Sequence, residues 1–328
     1  MVSKYFKTII FIKSILIILL LTLTINAMEI DNSGNIKCNT SDDIQQCIDK
    51  GAGKIISFLP GVYEVPMLKV RSDDTTIIIP KGIVFNLKKQ DYPKKDGAII
   101  GIYHKHIKFK KEYKEIKNVT IYFDGIIDGR KLFFEKQDIS YEGINIKYGN
   151  NCKIIGTGTI KDINGDGIDI DASKYLVVRG KSDKERLKLI SNNGNGIHFG
   201  SPRPIIGSRN NVIMYAYAED NGYLHKRNGF DLSWPNKDGA IYINCIAKDN
   251  RKNWEINGMG GQVLDSQSIN TGKVELKDTF GGASKVIINE KDITNQDFVS
   301  TKTKILLKNN IKKFLGMQTQ EMLEGIKY

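Results

Sequence analysis
One short pattern recurs along the chain and limits what it can fold into. It reads EGINIK at 142–147, DGIDID at 166–171, NGIHFG at 195–200, NGFDLS at 228–233 and, more weakly, NWEING at 253–258. Each copy opens on a polar residue, usually followed by glycine, and then alternates apolar with polar. The copies start 24, 29, 33 and 25 residues apart. Out-of-phase segments follow: NCKIIGTGTI (151–160), KYLVVRG (174–180), NNVIMYAYAEDN (210–221) and GAIYINCIAKDN (239–250). AYAEDN and CIAKDN form the clearest self-match. Such alternation marks half-buried strands. A sandwich or barrel also uses short strands at regular spacing. Units that resemble one another at roughly 22–30 residues per coil predict instead an all-β, single-stranded parallel β-helix, its equivalent strands stacked about 4.8 Å apart. Asparagine and glycine at the corners suit the left-handed backbone of sharp turns.

Three further stretches resemble a known superfamily. SDDIQQCIDKGAGKIISFLPGVYEV (41–65), TTIIIPKGIVFNL (75–87) and NVTIYFDGIIDGRK (118–131) are similar to the opening segment and first coils of pectate-lyase-like right-handed β-helix proteins, as in polygalacturonase-like hydrolases. The resemblance spans roughly residues 40–290 and implies a right-handed β-helix over 28–298. Ile44, Cys47 and Ile48 share one face of a short helix and suit an N-terminal plug. The tail 299–328, with the amphipathic run ILLKNNIKKFL (305–315), suits a plug at the other end.

The first 27 residues read as a secretory signal. Lys4, Lys7 and Lys13 precede an uncharged apolar run from Ile15 to about Ile25, and Ala27 stands at a cleavage position. The expected location is therefore secreted or periplasmic, with no membrane contact after cleavage. Losing three lysines lowers the formal charge from +12 to 12 − 3 = +9, which favours an acidic polymer as partner. Nothing in the pattern calls for nucleic acid, and the mature chain reads as a monomer. The lysine-rich run KHIKFKKEYKEIK (105–117) suits an exposed strand or hairpin. Cys38 and Cys47 are spaced for a bridge in an exported protein, and Cys152 and Cys245 fall at core positions. No cysteine–histidine spacing suggests zinc.

Aligning the copies on their glycine turns Ile168, Ile197 and Phe230 inward. Asn145, Asp169, His198, Asp231 and Glu255 then form an outward ladder. A second outward row holds Lys147, Asp171, Gly200, Ser233 and Asn257. Carboxylates so close together repel, and each holds its proton more tightly unless a cation or histidine sits among them. The long segment GYLHKRNGFDLSWPNKDG (222–239) places Tyr223, His225, Lys226 and Arg227 at the rim, and Trp234 offers a flat face for a sugar ring. These residues, with Asn145 and Glu255, are candidate substrate contacts. Asp169, His198 and Asp231 are candidate catalytic groups.

The same stretch raises a metal reading. D-I-N-G-D-G-I-D-I (162–170) matches half an EF-hand loop, but the twelfth position is Ser173 rather than glutamate. Calcium among Asp166, Asp169 and Asp171, as in many β-helix lyases, remains an option; no cofactor is required.

For the chemistry, NGDGIDI resembles the N-T-D-G-I-D strand of polygalacturonase-like enzymes, which puts Asn164 and Asp166 on that motif. The next coil has Asn195 and Gly196 where that family carries an Asp-Asp pair, and its later G-H-G and R-I-K signatures are absent. Asp169 and Asp231, two rungs apart, would stand about 9–10 Å apart, near the upper end for an inverting hydrolase. NGFDLSWP is similar to the G-[IF]-D-P-H strand of mannuronan epimerases: Gly229, Phe230 and Asp231 match, while Ser233 replaces their histidine and His198 lies one rung below. The leading expectation is a lyase or uronate epimerase acting on an acidic polysaccharide. A pectin-type glycoside hydrolase ranks second, and a non-catalytic glycan-binding or adhesive β-helix third.

Overall fold
The computed structural model describes residues 29–88, 97–104, 114–133, 140–200, 209–232, 238–256, 262–269, 273–276, 285–288 and 291–292. The leader 1–27, most of the lysine-rich run, Trp234 and the tail 299–328 lie outside them. The chain winds as a right-handed parallel β-helix. One sheet carries the repeat: Leu68–Val70, Gly97–Ile102, Tyr141–Lys147, Ile168–Asp171, Ile197–Gly200, Phe230–Leu232, Lys252–Ile256 and Lys273–Leu276 pair in parallel and in chain order. Each coil therefore adds one strand to this face.

The out-of-phase segments form the other two faces. NNVIMYAYAEDN is split at Tyr215, whose φ of 52° ends one strand at Met214 and starts the next at Ala216. Asn244, at φ 51°, divides the following coil in the same way. AYAEDN and CIAKDN stack in register, Tyr217 on Ile246, Ala218 on Ala247 and Glu219 on Lys248.

Inward residues build a continuous core. Ile144, Ile168, Ile197, Phe230 and Trp254 stand in one column and are all buried. Phe230 and Trp254 have ring centroids 4.6 Å apart, and the Tyr242 ring meets Trp254 edge-on at 5.5 Å. Cys152 and Cys245 are core thiols with no exposed surface.

Asn118, Asn151, Asn210 and Asn244 take the left-handed backbone expected of corner asparagines, but the corner before the repeat strands departs from expectation. The glycines of the repeat are not left-handed; Asp162, Ser191, Asp220 and Asp249 are, at φ 51–59°. Glycine is required for clearance instead. A Cβ on Gly143 would lie 2.5 Å from the Gly167 carbonyl oxygen, one on Gly167 2.7 Å from that of Gly196, and one on Gly196 2.5 Å from that of Gly229. Beside them runs a buried asparagine ladder. The side-chain oxygen of Asn221 accepts from the backbone and side-chain N–H of Asn192, and that of Asn250 accepts likewise from Asn221.

Helix Ile44–Lys50 starts at Asp43, whose carboxylate accepts from Gln46 N–H, and buries Ile44, Cys47 and Ile48. Gln45 reaches the outer strand of the repeat sheet, accepting from Lys69 N–H at 2.8 Å and donating to Lys69 O at 3.1 Å. Cys38 and Cys47 are joined by a disulfide, Cα–Cα 6.3 Å. Among the described residues no helix is long and apolar enough to cross a membrane.

Candidate active site
The outward ladder stands in the register that the glycine alignment predicts. Asn145 pairs with Asp169, Asp169 with His198, His198 with Asp231 and Asp231 with Glu255 on successive strands. In the second row, Lys147 pairs with Asp171 and Asp171 with Gly200; Ser233 and Asn257 fall outside the described residues. Over these rows lies a cleft of about 570 Å³. Tyr103, Glu142, Asn145, Lys147, Asp166, Asp169, Asp171, His198, His225 and Arg227 line it, over a floor that includes Gly165 and Gly194.

His198 is the centre of this arrangement. Its Nδ1 lies 2.9 Å from Asp169 Oδ1 and 3.4 Å from Asp166 Oδ2, and its Nε2 lies 3.8 Å from Asp231 Oδ2. Burial by itself disfavours charge on the imidazole. The hydrogen bond to Asp169 and the charges of Asp166, Asp231 and Asp169 outweigh it, and the pKa is pushed up to about 10. His198 is therefore an imidazolium at neutral pH. Asn145 Nδ2 donates to the other oxygen of Asp169 at 2.5 Å, so both Asp169 oxygens are engaged.

Asp166 reaches the cleft from the turn before its strand. Asn195 orients it, the backbone N–H donating at 2.5 Å and Nδ2 at 2.9 Å to Oδ1. Burial raises its pKa, the Asp169 charge adds to that, and His198 works against it. Asp171 is also raised, by burial and then by Asp169, against the opposing charge of Lys147 at 3.2 Å.

The loop after Asn221 folds back over earlier coils. Its N–H groups at Gly222 and His225 donate to the carbonyls of Asn192 and Asn193, and His225 Nε2 donates to Asn164 O at 3.0 Å. A carbonyl only accepts, so His225 carries its proton on Nε2. This path brings His225 and Arg227 to the cleft but not their neighbours. Tyr223 is exposed and donates to Asp249 O at 2.7 Å; Lys226 is exposed, and its carbonyl accepts from Arg251. Neither lines the cleft. Asp231, 2% exposed, stands beneath His198 and is not presented to a ligand beside Asp169. Glu255, one rung on, accepts from Asn228 Nδ2 at 2.9 Å and lies 3.4 Å from Lys252 Nζ, also off the cleft lining. For a metal, Asp166, Asp169 and His198 present ligand atoms within 4.8 Å of one another; Asp171 is held by Lys147 instead.

Tyr103 and Glu142 escape a reading of the repeat. Tyr103 follows a strand, GAIIGI, whose polar–glycine pair, Asp96-Gly97, is out of register, Ala98 standing opposite Glu142, and Glu142 stands before the glycine on which the copies are aligned. Register would have found Tyr103: Gly101, two residues before it, pairs with Asn145.

No known family and no curated protein matches the sequence. Solved structures do. The surface adhesin PfbA of Streptococcus pneumoniae is similar over 76% of this chain and 69% of its own, at 14% identity and TM-score 0.57. ORF18 of Geobacillus virus E2 is similar over 76% of this chain and 54% of its own, at 12% identity and TM-score 0.51. A mutant tailspike protein of Escherichia coli bacteriophage HK620, in complex with a pentasaccharide, is similar over 79% of this chain and 48% of its own, at 12% identity and TM-score 0.50. The chain thus spans about half the length of each phage protein. At these identities the likeness shows a shared fold.

Proposed function
We propose that this pectate-lyase-like β-helix acts on a uronic-acid-containing polysaccharide by removing the proton beside the sugar carboxylate, as a lyase or an epimerase does. Arg227 carries this reading. It lines the cleft, it is exposed, and its guanidinium makes no ion pair among the described residues. The other cations of the cleft, His198 and Lys147, are already matched to Asp169 and Asp171. A planar guanidinium offers two parallel hydrogen bonds to a carboxylate. A uronate seated on Arg227 also lies in the field of the His198 imidazolium, and the two offset the charge that builds on the carboxylate when the C5 proton leaves. Asp166 is the base in this reading, because a carboxylate with a raised pKa binds a proton more firmly once ionised. The proton passes from C5 to Asp166. The electron pair then either expels the C4 oxygen, which takes a proton from water as it leaves and gives a C4=C5 double bond, or takes a proton from water on the opposite face of C5.

A second reading rests on Asp166 and Asp169 as a hydrolytic pair. Asp166 holds its proton more tightly than usual, and the ligand oxygens of the two lie within 4.8 Å. That is nearer the roughly 5–5.5 Å of retaining enzymes than the roughly 6.5–9.5 Å of inverting ones. Calcium takes six to eight oxygen ligands, and a cluster of two carboxylates and an imidazole nitrogen fits that poorly. The His198 imidazolium already supplies the positive charge. The Cys38–Cys47 bridge is consistent with a secreted or periplasmic location.

A panel of uronate-containing and neutral polysaccharides tests these readings. Ultraviolet absorbance from unsaturated sugars marks elimination, and inversion at C5 seen by proton NMR marks epimerisation. New reducing ends without absorbance mark hydrolysis. Activity should survive a chelator, and Arg227→Gln should raise KM about tenfold or more, the loss of a charged hydrogen bond. If no uronan is bound or altered, the proposal fails.

A further inference from the structure
The outward row of the repeat sheet has a gap that a residue from outside the row fills. Lys69, Gly101, Asn145, Asp169 and His198 stand in register on consecutive strands. Gly101 has no side chain, yet the space its Cβ would take is occupied. Tyr103 Cε1 would lie 2.4 Å away, and Cζ and the hydroxyl oxygen 3.0 Å away. Residues two apart on a strand face the same side. The Tyr103 side chain thus leaves the sheet on the cleft side and folds back over Gly101, so that its hydroxyl takes the place in the row next to Asn145. Any residue but glycine at 101 would expel it. Lys147, Arg71 and Glu142 are near enough to act on the phenol, and burial, the largest effect, raises its pKa. The phenol therefore keeps its proton at neutral pH and serves as a donor.

We propose that Tyr103 is a substrate-contacting residue that donates a hydrogen bond to a neutral oxygen of the glycan, a ring hydroxyl or bridging oxygen, and that Gly101 is its positioning residue. The inference rests on the glycan reading above and extends it. From the rung of Gly101 to that of His198 is three strand spacings, about 14 Å. The cleft then reads two separate points on the ligand, a carboxylate near Arg227 and a neutral oxygen near Tyr103. Its ligand is consequently a chain of several sugar units rather than a single sugar.

The test uses Tyr103→Phe, which keeps the ring, together with Gly101→Ala and the double variant. Each is compared with the wild type for retention in uronan-containing native gels and for kcat/KM on uronan oligomers of increasing length. Tyr103→Phe should lower kcat/KM on long oligomers roughly three- to tenfold, the equivalent of one neutral hydrogen bond, and leave the shortest substrate unaffected. Gly101→Ala should show the same length-dependent loss, and the double variant no more than either single one, because both act through one hydroxyl. Equal losses on short and long oligomers, or additive losses in the double variant, would overturn the assignment. If Tyr103→Phe behaves as wild type on active uronans, the inference falls while the glycan reading stands. If the wild type is neither retained nor active, both fall.

Discussion
His198 holds a charge that its burial opposes, and the surrounding carboxylates decide the balance. Its pKa rises from an ordinary 6.5 to about 10. The group is raised in the folded state, so its contribution to stability is complete below about pH 6.5 and is lost as pH climbs through about 10. Asp166 and Asp171 are raised as well, and their contributions also weaken as pH rises. For His198→Gln, the dependence of Tm on pH between about 6.5 and 10 should flatten, with a loss of a few kcal/mol at neutral pH. An unchanged slope would mean that the imidazole is not charged. Its place between two aspartates could be read from the register of the repeat alone. The value of Asp166 could not. It lies in the turn before the strand, where alternation says nothing about direction, and its hydrogen bonds to Asn195 and its contact with His198 aim it into the cleft.

The coil corner is set by two ladders that answer different demands. The glycines lie where the next coil's carbonyl leaves no room for a side chain. The asparagines lie where buried backbone groups need partners that no strand supplies. Asn221 donates to Leu189 O and Asn250 Oδ1 and accepts twice from Asn192. Removing it leaves several buried groups unpaired at about 1–3 kcal/mol each. Asn221→Ala should therefore lose on the order of 3 kcal/mol or more in urea unfolding, whereas Ala at the exposed neighbour Asp220, which keeps the same left-handed backbone and gives up one hydrogen bond from the Ser191 hydroxyl, should lose about 1 kcal/mol. A small effect at Asn221 would count against the ladder as a stabilising element. The sequence shows Asp-Asn at two of these corners and Ser-Asn at a third, but not which of the two is buried. Their directions depend on the coils above and below.

At the scale of the molecule, the parallel coils leave strand edges at the ends of the stack, and such edges invite further pairing. At the N-terminal end, Gln45 satisfies Lys69 on the outer strand, and the Cys38–Cys47 bridge ties the helix to the first coil. Closing so short a loop stabilises by about 2–3 kcal/mol in the chain-entropy account. A reductant should lower Tm accordingly. Cys152 and Cys245, buried and pushed up to about 11 and about 12, should resist thiol labelling until the protein unfolds. Labelling of the native protein would contradict the core placement of both. The sequence by itself determined the coil, the inward column and the outward ladder, because a side chain's direction on a strand is a local property with a period of two. Only the tertiary structure decided which outward groups share the cleft. It lowered Asp231 beneath His198, turned Tyr223 and Lys226 off the cleft, carried Arg227 across earlier coils and folded Tyr103 over Gly101. Those placements depend on partners a coil or more away, and on the burial and charge those partners create.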